Sequence, residues 1–151
     1  MRVLKRSGSY EEVSFDKILN RIKSLSDGPE FSKKLNIDET LVAQKVVQEI
    51  FDGVETSVLD ELSSEIAKSM YSTHPDFKEL AGRIAISNLH KNTLNNFSDK
   101  ISLMYNYKRN GITKPLIADY LYELVLENKE LIDSIIDYNR DYSYDFFGIK
   151  T

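Results

Sequence analysis

Lys5, Arg6 and Lys17 are the residues of this chain whose types and spacing suggest chemistry. Two short apolar/polar stretches, Arg2 to Arg6 and Tyr10 to Phe15, flank Ser7-Gly8-Ser9, and the glycine suits a tight hairpin turn. Ser14 and Asp16 then offer N-cap side chains for an amphipathic helix that begins near Lys17. A hairpin running into a helix places the three cations around a helix N-terminus, whose free N–H groups already favour an anion. Such an arrangement holds a triphosphate without a glycine-rich loop. The same residues also read as a solvated basic hairpin, and on their own they leave both readings open.

The elements that must position these cations read as a small β cap on a set of helices. Ile18, Leu19, Ile22 and Leu25 recur at helical spacing, and Asp27-Gly28-Pro29 stops that helix. Asp38 caps a second helix with a predicted stripe of Leu41, Val42, Val46, Ile50 and Phe51, closed by Gly53 at a C′ position. Val54-Glu55-Thr56 is extended enough to add a third strand to the hairpin. Ser57 and Asp60 form a capping-box pattern with Asp in place of Glu, ahead of a third helix burying Leu59, Leu62, Ile66 and Met70. His74-Pro75-Asp76 starts a fourth helix presenting Phe77, Leu80, Ala81, Ile84 and Ala85, with Gly82 permitting a close helix approach. Beyond about Thr93, Ser98 and Thr113-Lys114-Pro115 look like the starts of a fifth and a sixth helix, with a loop around Tyr107 to Gly111. Leu116, Ile117, Tyr120, Leu121 and Leu124 make one face there, and Leu131, Ile132, Ile135 and Ile136 a seventh short helix.

Other candidate chemistry is sparse. The pattern GxxxxGK[ST] is absent, so a P-loop hydrolase has no support. Asp119, Glu123 and Glu127 share one helical stripe and read as a solvated face, since no histidine joins them. His74 reads as a cap or turn residue and His90 as an exposed helical one. Tyr138, Tyr142, Tyr144, Phe146 and Phe147 crowd a short stretch and are expected to dock on something outside this chain.

Composition bounds the class. With 151 residues there is room for one domain, or one and a flanking piece, and 41% apolar with 29% charged residues excludes global disorder. The absence of cysteine removes disulfides, thiolate zinc sites and thiol chemistry from this chain. No apolar run approaches a membrane span and no signal peptide is visible, so a cytoplasmic, membrane-free protein is expected. A net charge of −4 argues against nucleic acid as an electrostatic partner.

Several motifs in order carry a family resemblance. Val3-Leu4-Lys5-Arg6-Ser7-Gly8, Glu11 and Val13-Ser14-Phe15-Asp16-Lys17-Ile18 resemble the start of an ATP-cone, the nucleotide-binding activity module of ribonucleotide reductase large subunits. Asp52-Gly53-Val54-Glu55-Thr56 is similar to the family's link between second and third helices. His74-Pro75-Asp76-Phe77 and Ala81-Gly82-Arg83-Ile84-Ala85-Ile86-Ser87-Asn88-Leu89-His90-Lys91 resemble its closing helix. Asp141 to Thr151 resembles the segment leading into the catalytic barrel of class I, eukaryotic and viral-type enzymes.

The resemblance implies a mainly α fold: a four-helix bundle covered by a three-stranded sheet over residues 1–93, then the helical start of the large subunit's N-terminal domain over 94–151. It implies that Lys5, Arg6, Lys17 and Lys91 contact a triphosphate, and Lys91, seven residues after Ile84, shares that helix's buried stripe. Glu11, Glu12, Val13, Ser14, Phe15, Asp16, Lys17 and Ile18 would line the nucleotide pocket. Thr56 and Asp60 would meet ribose or base, Asp60 at the position associated with telling ATP from dATP. Each has a plainer role open to it: Thr56 an N-cap, Asp60 a capping-box acid, Lys91 a complement to the helix dipole. The implied effectors are ATP, activating, and dATP, inhibiting. Mg²⁺ would accompany the nucleotide, with Glu11, Asp16 and Asp60 as candidate ligands and no dedicated metal cage. Implied partners are the rest of the large subunit, other large-subunit copies and the radical-generating small subunit, meeting a surface around Ser9, Asp16 and Asn20. The parent polypeptide would be a ribonucleoside-diphosphate reductase supplying deoxyribonucleotides for DNA replication, cut short here before the barrel. This cysteine-free chain would itself be non-catalytic. The competing class is a helical interaction module that binds no nucleotide.

One local geometric conflict accompanies this reading. Adjacent Lys5 and Arg6 should face opposite sides of a strand, so both reach one ligand only if the strand twists or ends there.

Overall fold

The computed structural model describes residues 1–151 and divides into two compact units, one of residues 1–89 with 141–151 and one of residues 90–140. In the first unit, β1 (Arg2–Leu4) pairs antiparallel with β2 (Tyr10–Glu12) and parallel with β3 (Val54–Glu55), giving the order β2-β1-β3. Register sets Val3 beside Val54, and both are buried on the helix-facing side. The turn is closed by Gly8 N–H donating to the Lys5 carbonyl at 2.9 Å, with Gly8 at φ +82°, a conformation that favours glycine. The first strand thus stops at Leu4, so strand alternation does not govern Lys5 and Arg6.

Four helices lie under this cap: α1 (Phe15–Asp27), α2 (Glu39–Glu49), α3 (Thr56–Ser69) and α4 (Asp76–Asn92), whose last residues pass into the second unit. Ser14 caps α1 by accepting from Lys17 N–H, and Asp38 caps α2 by accepting from Thr40 N–H. His74 Nδ1 accepts from Asp76 N–H at 3.2 Å at the start of α4. The core joins Ile22 and Leu25 to Val42, Val46, Ile66, Leu80 and Ile84. Buried Arg83 fills its lower end, donating to the carbonyls of Leu25, Ser26 and Lys33 with its guanidinium 4.0 Å from the Phe31 ring centroid.

Several local expectations are corrected. Leu41 and Phe51 are 42% and 63% exposed, and Ala43 takes the inward place on α2. Gly53 lies beyond the Ile50 cap, in the turn before β3, where its N–H donates to the Arg2 carbonyl at 2.7 Å. Ser57 and Asp60 make no capping box, because α3 already begins at Thr56, with Glu55 as an N-cap whose side chain bonds no backbone N–H of the first turn. Gly82 is approached by the backbone of Tyr144 to Phe146, where the chain enters a short terminal helix, and not by one of the other bundle helices. That segment also corrects part of the expected docking of the aromatic cluster outside this chain, since Phe146 and Tyr142 pack within it while Tyr144 and Phe147 stay exposed. Phe146, opening the short α8 (Phe146–Lys150), is buried in the first unit's core, and Tyr142 stacks edge-on against Phe31 at 5.0 Å. Lys78 and Lys150 fasten the segment through Asp145 at 2.7 Å and Glu61 at 2.6 Å.

The second unit holds α5 (Phe97–Tyr105), a hairpin of β4 (Lys108–Arg109) and β5 (Ile112–Thr113), α6 (Asp119–Glu127) and α7 (Lys129–Ile135). The expected loop at Tyr107 to Gly111 is therefore a hairpin, turned by Asn110 and Gly111 at φ 54° and 78°, the positive angles of a type I′ turn. Thr113 belongs to its second strand and caps nothing. Ser98 lies inside α5, not at its cap, and its N–H and hydroxyl both donate to Asp133. No helix of the chain is long and apolar enough to cross a membrane.

Candidate functional site

Where the strand ends and the hairpin turns, the cap and α3 enclose a cavity of 250 Å³ lined by Leu4, Lys5, Arg6, Gly8, Glu55, Thr56 and Ser57. Two of its walls favour an anion. Lys5 and Arg6 contribute cations from the turn. The first turn of α3 contributes backbone N–H groups that no side chain caps, at the positive end of the helix dipole. The anion-favouring N-terminus at this cavity is thus that of α3, whereas α1 is already served by Ser14.

Behind the cavity lies a polar network reaching across three helices. Asp60, one turn along α3 from Thr56, is buried and meets Arg6 Nη2 at 3.7 Å and Arg21 Nε at 3.4 Å. Arg21 Nη2 donates to Ser87 Oγ at 2.7 Å, joining α1 to α4. Arg6 also donates to Asn88 Oδ1 at 2.5 Å and Thr56 Oγ1 at 3.4 Å, and Asn88 Nδ2 donates to the Ser57 carbonyl at 3.1 Å. A buried carboxylate between two guanidiniums is oriented by them, and removing either partner would leave a charge without compensation. A second cluster sits beside it, where the Glu11 carboxylate bridges Lys5 and Lys17.

The expected site residues distribute as follows. Lys5, Arg6, Glu11, Lys17, Thr56 and Asp60 fall within these two clusters. Thr56 is the first residue of α3, so it is no N-cap, and Asp60 is an ion-pair partner with no capping role. Ser14 is the α1 cap, Ile18 is a core residue and Val13 packs half-buried against the core. Glu12, Phe15 and Asp16 are exposed on β2 and the first turn of α1. Lys91 is exposed in the last turn of α4, within residues 90–140. Arg21, Ser87, Asn88 and Glu55 were not singled out from sequence. Asn88 had a usable signal: it lies four residues after Ile84, on the stripe that picked out Lys91. No three or more Asp, Glu or His side chains gather as a metal cage. The carboxylates of Glu11 and Asp60 face cations here.

Comparison with known proteins bears on what these clusters serve. A family model described as the ATP cone domain matches residues 1–92. The whole chain aligns with the ribonucleoside-diphosphate reductase large subunit of Arabidopsis thaliana at 48% identity, covering 18% of that protein. It aligns with the Dictyostelium discoideum large subunit at 46% identity, again over 18% of its length, and with the Monkeypox virus large subunit at 44% over 20%. The chain thus spans about a fifth of the length of these curated relatives.

Proposed function

Because this chain belongs to the ATP-cone family, we propose that its first unit binds an adenosine triphosphate, ATP or dATP, as an allosteric effector of a ribonucleoside-diphosphate reductase. The observation that carries this reading is the convergence of Lys5, Arg6 and the uncapped start of α3 on one cavity. Several cations and N–H groups meeting one polyanion make charge-assisted hydrogen bonds, which are stronger than neutral ones. Lys5, Arg6 and Lys17 hold the phosphates, while Thr56 and the tethered Asp60 lie one helical turn apart, at a depth suited to sugar hydroxyls. Mg²⁺ fits only as an ion carried by the nucleotide, held by phosphate oxygens and water, since its hydration is reluctantly shed and no protein cage gathers here.

Regulation then follows from linkage. ATP and dATP differ by one 2′-hydroxyl, so they switch the parent enzyme only by binding its assembly states with different relative affinity. ATP would favour the active assembly with the radical-generating small subunit, and dATP an inhibited association of large subunits, through the surface around Ser9, Asp16 and Asn20. The chain's own residues bind and report, and supply no thiol for reduction. The setting is cytoplasmic.

Titration calorimetry and thermal melts with ATP and dATP test this directly. Saturable heat is expected, with stabilisation approaching about 2.7 kcal/mol at a hundredfold excess over Kd. Lys5→Ala should lose most of that thermal shift. Absence of heat and of any melting shift with either nucleotide overturns the reading and favours the nucleotide-free interaction module. That second reading has its own support in the exposed Leu103, Leu116, Tyr120 and Ile135 of the second unit.

A further inference from the structure

Lys5 and Lys17 are both engaged by a single side chain. Glu11 Oε2 pairs with the Lys5 ammonium and Glu11 Oε1 with that of Lys17, so one carboxylate spends an oxygen on each. Local structure dictates the meeting. Glu11 lies opposite Val3 in the β1–β2 register and therefore shares its face of the sheet, and Lys5 follows where β1 gives way to the turn. The Ser14 cap starts α1 so that Lys17 falls in its first turn, beside the end of β2. Glu11 is the least exposed of the three side chains, at 24% against 47% for Lys5 and 69% for Lys17. Two oxygens shared between two ammonium groups is also the contact a phosphate group makes.

We infer that Glu11 is an internal counter-ion standing where a ligand phosphate goes, and that it sets the affinity and charge selectivity of this site. The inference rests on the triphosphate-binding reading above. A polyphosphate reaches both lysines only by displacing the carboxylate, and in exchange it supplies more charge than the carboxylate removed. A nucleoside monophosphate has too little reach and charge to complete that exchange, so it gains nothing from the lysines. Glu11 thereby keeps binding weaker than the cations alone would make it, and leaves it reversible. It also releases a carboxylate beside the start of α1 each time the ligand arrives.

The decisive variant is Glu11→Gln in the full 151-residue chain, titrated with inorganic triphosphate, ATP and AMP. Two partly exposed ion pairs are each worth little, so Kd for triphosphate and for ATP should fall about three- to tenfold. AMP should change by less than about twofold. The salt dependence of triphosphate binding should steepen, because lysines freed from Glu11 carry counter-ions that the ligand must release. A purely structural role for Glu11 would move neither salt slope nor selectivity. Glu11→Asp, one methylene shorter and unable to span both ammonium groups, should give an intermediate gain, and it serves where the Gln variant folds poorly. Wild type that binds ATP, with variants that bind triphosphate no more tightly, overturns the counter-ion and leaves the site standing. Wild type that binds neither ATP nor triphosphate overturns both.

Discussion

The two units treat apolar surface in opposite ways. Residues 1–89 with 141–151 hold a continuous core in which Val42, Ala43, Val46, Ala67, Leu80 and Ala81 are wholly shielded from solvent. Residues 90–140 bury Ile101 and Val125, while Tyr120, Ile135 and Leu131 stay 73%, 70% and 61% exposed. A segment of that size cannot enclose its own side chains as well as a larger domain does. The first unit has a closed interior, which the proposed nucleotide site needs if its side chains are to stay in place. The second displays apolar faces of the kind that mark contact surfaces.

The strongest way to break this contrast is a matched pair of truncations. Leu80→Ala removes a fully buried side chain in the first unit and should cost about 2–5 kcal/mol, as transfer energy plus the cavity left behind. Leu131→Ala in the second should stay within about 0.5 kcal/mol, since its side chain already meets water. Urea denaturation of both variants checks the pair. Equal losses would show that the second unit depends on its exposed leucines as much as the first does on its core.

A smaller effect sharpens the contrast at the first unit's edge, where residues 141–151 close over α4. A Cβ on Gly82 would lie 3.1 Å from Phe146 N, 3.2 Å from Asp145 C and 3.2 Å from Tyr144 O. These are backbone atoms, and Phe146 and Asp145 anchor them, so they cannot swing aside as a side-chain tip would. Alanine gains about 1 kcal/mol of helix propensity. Overpacking costs about 1–3 kcal/mol. Gly82→Ala is therefore expected to destabilise by about 1 kcal/mol net, read by denaturation and by loss of amide protection near Phe146. Stabilisation instead would show that the closing segment yields.

What could be read in the sequence follows the range of the interaction responsible. The hairpin, the Ser14 and Asp38 caps, the third strand and the stripes of α1, α3 and α4 are local patterns, and the structure has them. The Asn110-Gly111 turn is equally local but lies between strands only two residues long, too short for alternation to register. Arg21 was hidden for a different reason. Its partners Asp60 and Ser87 lie 39 and 66 residues away, and on its own helix it is one polar residue on the face opposite the stripe. The burial of Phe146 is not legible locally, because aromatic crowding signals a need for cover and says nothing of where the cover comes from. Family resemblance nominates Glu11 for the site. Its bridging of two lysines depended on register, which the sequence leaves open until the turn is known.

The finest comparison sets one carboxylate from each unit against acid. Asp76 accepts from Lys33 Nζ and from the Asn36 N–H, each at 2.8 Å, and chiefly the Lys33 bond holds its pKa below the ordinary carboxylate range. Asp133 is lowered chiefly by the Ser98 hydroxyl and next by the Ser98 N–H. In both, the folded pKa lies below the unfolded one. Their stabilisation is therefore complete above about pH 4 and is lost as pH falls through the folded values. The Asn36 and Ser98 amides donate directly to these carboxylates, so their chemical shifts follow each protonation separately. Both midpoints are expected below about 3.9, with Lys33→Met raising the Asn36 midpoint and leaving that of Ser98 in place. A Ser98 amide that titrates at the ordinary carboxylate pH would mean that the Asp133 bonds do not persist in solution. The second unit would then lack this tie between α5 and α7 as well as a closed core.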